Sequence, residues 1–380
     1  MTYQFSLDDV AFLTSEPGRE ALAFARTLNL AGFAGLETAR KRFGDRTGAI
    51  LETVSLRGKA AGKIDGAENW LFTADALQQA TASIVAKHRA ERLRGRTIHD
   101  VTCSIGTEVA HHVGRAIGSD LDEVRLRMAQ NNVPNVLFAR ADALRPCSRD
   151  AVVLVDPGRR TGGKRVFDPE ALEPPLSAVR EVYRGRDIAI KSAPGIDYDS
   201  LEWDGEVEIV SLDGGVREAC LWSAGLATAG RRATVLTSSG GVLTVTDAEP
   251  DDIPEREPGE WIINPDGAIV RAGLVRHYAA RHGLWQLDPR IAYLTGDRVP
   301  PGVRGFRIVS RTSFNEKVLR QDLQRLGCGA LEILVRGVDV DPDALRKRLK
   351  LRGGAAFSLV ITRIGRDATV FICEAGSASP

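Results

Sequence analysis

"AVVLVDPGRR", residues 151–160, passes from an unbroken apolar run straight into Asp-Pro-Gly-Arg-Arg. Val152 to Val155 fit a strand buried on both faces, and Pro157 cannot continue a central hydrogen-bonded ladder. Asp156 is therefore placed at the carboxyl end of an interior parallel strand, the edge at which open α/β sheets bind ligands. A single Asp in such a place serves equally well as a cap for its own turn. What separates the two readings lies upstream.

From residue 96 onward short apolar strands alternate with helical stretches. "TIHDVTC" reads as a strand, "GTEVAHHVGRA" as a helix and "AIGSDL" as a second strand. "DEVRLRMAQNNV" is a helix, "VLFARAD" a third strand and "AVVLVDP" a fourth. "DIAIKSAP" is a fifth, and "EVEIVSLD" and "ATVLTSS" complete the sheet. This alternation predicts a parallel, doubly wound, Rossmann-like α/β core. Asp100, Asp120, Asp142 and Asp156 then close four successive strands at one sheet edge. One strand-end Asp is commonly a cap, but four in register point to a ligand site. The phosphate-cradling patterns GxGxxG and GxxxxGK[ST] are both absent. A strand followed at Gly106 by a helix still suits a nucleotide-like ligand at the helix N-terminus. Asp120 is placed to accept from both hydroxyls of a ribose, and Asp142 from an adenine amino group.

The series "DVTCSIG", "SDLD", "ADAL" and "VDPGRR" resembles class I S-adenosylmethionine (SAM)-dependent methyltransferases, over roughly residues 75–245. The resemblance implies SAM as the cofactor. It implies that Asp100, Cys103, Ser104 and Gly106 shape the methionine pocket, that Asp120 with Leu121 holds the ribose, and that Asp142 with Ala143 faces the adenine. "QQATASIVAKHRAERL" resembles the helix before the first motif in trimethylguanosine-synthase-like members, where Thr81 and its neighbours would close over the cofactor. There is one departure: the usual first motif is Gly-x-Gly, and Ser104 stands where the first Gly is expected. A Cβ there disfavours positive φ. In base-directed members the residues after the fourth strand orient the nucleophile. That implies catalysis by positioning, with Asp156 and the carbonyl of Pro157 accepting from an amino group. Gly158 and Arg159 replace the expected aromatic, and a guanidinium stacks on a base or grips phosphate. An ion pair of Arg159 or Arg160 with Asp168 or Glu170 is the alternative. Cys103 in the cofactor loop and Cys147 before the fourth strand are poorly placed for a cysteine mechanism.

Residues 1–94 read as a helical domain, with Ser15 capping "EPGREALAFA" and Thr73 capping one long helix through "TADALQQATASIVAKHRAERL" (73–93). Residues 95–246 are the expected methyltransferase core. The proline- and acid-rich "DAEPDDIPEREPGE" opens a linker and packing segment, 247–302. Residues 303–380 read strand, helix, strand, helix, strand, strand, a small α+β domain. "SRTSFNEKVLRQDLQRLGCGALEILVRGVDVDPDALRKRLKLRGG" resembles the THUMP-like domain found behind such cores, and true THUMP domains bind structured RNA. The formal charge is only +1, yet residues 302–380 hold 14 Lys or Arg against 8 Asp or Glu. Arg346, Lys347, Arg348, Lys350 and Arg352, with Arg336 on a neighbouring strand, are the candidate RNA-backbone contacts. A solvated basic helix is the alternative.

At 43% hydrophobic and 27% charged residues the composition is that of a soluble globular protein. No apolar run approaches the roughly 18–20 residues that span a bilayer. The start, "MTYQFSLDDVAF", lacks a secretory pattern, so a cytoplasmic protein with no membrane partner is expected. Five scattered cysteines without CxxC, and His111 and His112 adjacent on a helix, give no expectation of a metal. The expected activity is SAM-dependent methylation of a base in structured RNA, a purine nitrogen being favoured. A small-molecule methyltransferase and a catalytically silent SAM- or RNA-binding protein are the alternatives.

Overall fold

The computed structural model describes residues 3–30, 32–159 and 168–378. Arg160 and the side chain of Arg159 lie outside the described residues, so the readings placed on them stop there. The chain divides into two compact units. The first is built from residues up to Leu212 with Arg217–Thr228 and Ser238–Gly240; the second from Asp213–Val216, Ala229–Thr237 and residues from Gly241 onward.

The first unit opens with four helices, α1 (Leu7–Thr14), α2 (Glu16–Ala25), α3 (Phe33–Phe43) and α4 (Thr47–Ala60). Ser15 caps α2 as its sequence predicts, accepting from the Gly18 N–H, with Pro17 in the first turn. Val10, Leu13, Leu22, Ile50, Leu56, Trp70, Leu71 and Phe72 form one buried cluster with Ile105 and Met128. The helical region thus shares a core with the loop that follows the first strand.

The expected helix over 73–93 is two helices, α5 (Ala74–Gln79) and α6 (Ser83–Arg92). Thr73 does cap α5, accepting from the Ala76 N–H. Ala80 and Ala82, with ψ of 135° and 139°, leave the helical region. Two side chains account for the break. Lys63 Nζ donates to the carbonyls of Leu77 and Gln78, ending α5, and Thr81 turns inward to an ionic cluster described below.

The sheet of this unit uses β1 (Ile98–Asp100), β2 (Ala116–Asp120), β3 (Leu137–Arg140) and β4 (Val152–Val155). After a two-residue ladder of β5 (Gly158–Arg159) with β6 (Leu172–Glu173) come β7 (Ile188–Ser192), β8 (Gly205–Leu212) and β9 (Gly215–Ser223). Their order is β8-β9-β7-β4-β1-β2-β3. β3, β2, β1, β4 and β7 run parallel, and β9 is antiparallel to β7. Strand order therefore reverses between β1 and β4, the switch point at which such sheets form a ligand crevice. Helices α7 (Glu123–Asn132) and α8 (Leu176–Val182) link strands on this sheet. Val152 to Val155 are all buried, as a strand covered on both faces requires.

Two expectations change here. "GTEVAHHVGRA" is not a helix but a series of turns with one 3₁₀ turn at Val109–His111, because Glu108 is drawn inward and Gly106 takes a φ of +90°. The helix N-terminus expected after Gly106 is absent. "GVREACLWS" forms β9, a strand the sequence reading did not include.

The second unit holds the antiparallel pair β10 (Arg231–Leu236) and β11 (Val242–Thr246), and the helices α9 (Gly267–Arg271) and α10 (Val275–His282). β12 (Trp261–Ile263), β13 (Trp285–Asp288) and β14 (Ile291–Gly296) join one sheet with β15 (Arg304–Ser313), β16 (Cys328–Arg336), β17 (Ala355–Ile364) and β18 (Asp367–Glu374). The segment expected to link and pack therefore supplies three strands to the sheet of the C-terminal region. All six elements expected beyond residue 303 occur in order, with α11 (Glu316–Arg325) and α12 (Pro342–Leu349) as the helices. Leu319 with Leu323, and Leu345 with Leu349, repeat at one helical turn and are fully buried against Leu331, Ile333, Leu359, Ile361, Val370 and Ile372. Among the described residues no helix is long and apolar enough to cross a membrane.

Candidate active site

β1, β2 and β4 end side by side, and their last residues bring the acidic series together. Asp100 is 2% exposed and its Oδ1 accepts from the Thr102 N–H. Burial, with the negative charges of Glu108 and Asp156, pushes its carboxyl up to about 8. Asp120, at the end of β2, is half-buried. Its Oδ2 accepts from the Ser104 N–H and its Oδ1 from the Asp122 N–H, both at 2.9 Å. These two bonds fix the plane of the carboxylate and leave further lone pairs on each oxygen. Beside it, Leu121 is 63% exposed.

Ser104 adopts φ +48° despite its Cβ, so the departure from Gly-x-Gly leaves the turn left-handed all the same. The hydrogen bond to Asp120 is what holds it there. At Gly106, φ +90° and a 3.1 Å approach of Val133 to any added Cβ leave room for glycine alone. Cys103 is buried, and burial first, then Asp100 and Asp120, raise its thiol well above the ordinary range. It is no nucleophile. Asp142 lies two residues beyond β3, not at its end, and its Oδ1 accepts from the Leu144 N–H. Ala143 is buried and its carbonyl accepts from the Tyr183 hydroxyl at 2.6 Å.

At β4 the structure adds residues that the sequence reading missed. β4 and β7 pair with Val155 opposite Ile190, so the next residues, Asp156 and Lys191, emerge as neighbours. Lys191 Nζ lies 2.5 Å from Asp156 Oδ2 and 3.0 Å from Glu108 Oε1, and donates to the Thr81 hydroxyl. Thr81 in turn donates to Glu108 Oε1 at 2.5 Å. Burial disfavours the Lys191 charge, but Asp156, Glu108 and Glu218 outweigh it and hold the ammonium protonated. Glu108 is likewise buried, yet Arg89 and Lys191 keep its carboxyl ionised. Arg89 of α6 also contacts Glu218 of β9, and Arg92 reaches Glu206 and Glu208 of β8 at 2.6 and 2.7 Å. The strongest signal for this cluster in the sequence is "IAIKSAP", an apolar strand ending on Lys as its neighbour ends on Asp.

Around the switch point Asp100, Glu108, Asp156 and Glu218 gather about Lys191 and Arg89, and Asp100 is held protonated by burial and its acidic neighbours until a cation favours its charge. The glycine-rich cradle of a phosphate site is absent from the sequence here. Pro157 is buried, and Gly158 and Arg159 continue into the ladder with Glu173 and Leu172. Asp168 accepts from the Glu170 N–H, and Glu170 from Ser177.

The basic residues of the second unit are less uniform than their spacing suggests. Arg336 donates to Asn264 and lies over the Tyr293 ring. Arg346 is tied to Asp343 and to the Leu331 carbonyl, and Arg348 to Glu316. Lys347, Lys350 and Arg352 are exposed.

Comparison with known proteins decides the family. Over 357 residues, 88% of this chain and 99% of the relative, it is 54% identical to an uncharacterized S-adenosylmethionine-dependent methyltransferase of Mycobacterium tuberculosis, known from strains CDC 1551 / Oshkosh and ATCC 25618 / H37Rv. The chain belongs to the S-adenosylmethionine-dependent methyltransferases. A family profile described as THUMP domain-like matches residues 303–375. A putative methyltransferase from Porphyromonas gingivalis W83 shares the fold, with a TM-score of 0.76 at 18% identity, covering 98% of this chain and 99% of that one. The enzyme takes SAM as its cofactor. The acid-rich, phosphate-free donor set fits that ligand, whose sulfonium and ammonium are both positive. The alternative of a silent binding protein is set aside.

Proposed function

We propose that this methyltransferase acts in the cytoplasm on a nitrogen of a purine base in structured RNA. The observation that carries the reading is Asp156. Its Oδ2 is tied to a buried cation, while the side chain as a whole is 41% exposed at the mouth of the switch-point crevice. An anchored carboxylate with one outward oxygen is built to accept from an N–H and so to aim a nitrogen lone pair. The Pro157 carbonyl would accept a second N–H, and Arg159 would grip the base or a neighbouring phosphate. The THUMP-like match and the surplus of Lys and Arg beyond residue 302 support RNA as the partner.

On the cofactor side, Asp120 with Leu121 would hold the ribose, and Asp142 with Ala143 would meet the adenine edge. Asp100, Cys103, Ser104, Gly106 and Thr81 would line the amino-acid end. When bound, SAM supplies a methyl group that passes to the acceptor nitrogen while sulfur keeps the electron pair of the broken bond. The methylated nitrogen then gives its surplus proton to Asp156 or to water.

The test is transfer of labelled methyl from SAM to RNA of a strain deleted for this chain, followed by nucleoside digestion. Label in a methylated purine supports the reading, and label confined to small molecules overturns it. Asp120→Ala should cost SAM binding at least about tenfold, since charge-assisted hydrogen bonds are each worth on the order of 1.5–3 kcal/mol. The same change frees Ser104 to leave its left-handed conformation. Unchanged affinity in calorimetry would remove Asp120 from the cofactor site.

The RNA surface is read best with the exposed cations. Lys347, Lys350 and Arg352 changed together to Glu should weaken RNA binding and leave SAM affinity untouched. Each lost phosphate contact flattens the log–log salt dependence by roughly 0.7–0.9. A constant slope would make this helix end a solvated face.

A further inference from the structure

We propose that Lys191 is a positioning residue for methyl transfer, holding one oxygen of Asp156 so that the other is presented to the acceptor nitrogen. The proposal rests on the acceptor role given above to Asp156. It begins with register: Val155 opposite Ile190 makes Asp156 and Lys191 neighbours at the same sheet edge. The burial is one-sided. The Lys191 side chain is 10% exposed, whereas that of Asp156 is 41% exposed. Only Asp156 Oδ2 meets the ammonium, and Oδ1 has no partner among the described residues.

Here one oxygen is turned in and the other out. Without the cation the carboxylate would rotate about its χ2 and exchange its oxygens, since that torsion is broad. Lys191 is itself held from behind by Glu108 and Thr81, so the anchor does not swing. Asp156, Glu108 and Glu218 outweigh burial and favour its charged ammonium, so it serves as an anchor and not as a base. Its contribution is geometry and charge, and it acts through Asp156.

The experiment uses the full chain with labelled SAM and an extract of cells deleted for this chain, which offers RNA and small-molecule acceptors alike. Lys191→Met should lower the single-turnover rate by about 100-fold with little change in the acceptor concentration giving half-maximal rate. Lys191→Arg, which keeps a cation, should restore the rate to within about tenfold of wild type. In an Asp156→Asn background, Lys191→Met should cause no further loss, because the outward face there already lacks an acceptor oxygen for the anchor to aim.

A wild-type rate in Lys191→Met overturns the proposal, and so does a fully additive loss in the double variant. Should Lys191→Met fail to fold by its melting curve, Lys191→Arg decides. A rate within about tenfold of wild type then supports the proposal, and a loss as deep as that of Asp156→Asn overturns it. The two readings fail differently. A wild-type rate in Asp156→Asn removes the acceptor role itself, whereas a slow Asp156→Asn beside an unaffected Lys191→Met removes only the positioning role of Lys191.

Discussion

Asp100→Asn should make the ligand-free protein more stable and at the same time impair its grip on SAM. Asp100 is almost wholly buried, and burial with the charges of Glu108 and Asp156 raises its carboxyl from 3.8 to about 8. The folded protein therefore keeps a proton that the unfolded chain releases above about 3.8. Stability falls as pH rises through the interval from 3.8 to about 8, and the penalty is complete above it. Asparagine keeps the shape and the oxygen that accepts from the Thr102 N–H, but it has no charge to suppress. At neutral pH the gain is on the order of a few kcal/mol, or several degrees in Tm for a chain of this length.

Cofactor binding runs the other way. With Asp100 at the amino-acid end of SAM as proposed, the cationic ligand favours its ionised form, and binding below about pH 8 should release its proton. Wild-type affinity should strengthen as pH rises towards about 8, with proton release visible in calorimetry across buffers of different ionisation heat. In Asp100→Asn the affinity should fall roughly tenfold or more, and this pH dependence should vanish. Equal affinity and an unaltered pH profile in a stabilised variant would mean that Asp100 is strained for some purpose other than SAM.

That site is one whose outline is legible in the sequence and whose electrostatics is not. Strand ends are readable because Val152 to Val155 are apolar without interruption and Pro157 stops the ladder. Caps are readable because Ser15 and Thr73 act on their own next turn. The THUMP-like region is readable because its helices bury leucines four residues apart. What escapes is everything that depends on partners distant along the chain. Glu108, Arg89 and Glu218 look like ordinary surface charges, and only the fold shows them buried together. The break in the helix over 73–93 comes from Thr81 and Lys63 reaching across space, which helical periodicity cannot register. β9 was hidden by the charges of Arg217 and Glu218, although Asp213-Gly214 before it is a hairpin signal. The charge run at 346–352 likewise hides its partners, since Arg346 and Arg348 pair with Asp343 and Glu316 while Lys347, Lys350 and Arg352 stay exposed.

The same cluster sets what Asp156→Asn should do to catalysis. Lys191 donates and cannot accept, so the amide must turn its oxygen inward to the ammonium. The NH₂ then faces outward, where the carboxylate presented Oδ1. A donor placed against the N–H of the acceptor repels it, so the substitution reverses the polarity of the contact as well as removing a charge. Single-turnover methyl transfer should fall by about 100-fold, the scale of a misplaced reactant. The fold should survive, because Lys191 keeps Glu108 at 3.0 Å and Glu218 at 4.0 Å. SAM affinity should change far less than the rate, since losing the Asp156 charge eases ionisation of Asp100 while removing one negative charge near the cationic ligand. Rate and cofactor affinity therefore part company in Asp156→Asn, whereas in Asp100→Asn the cofactor affinity is what falls. If Asp156→Asn transfers methyl at the wild-type rate while folded, the outward oxygen contacts no acceptor, and the carboxylate serves only to balance Lys191.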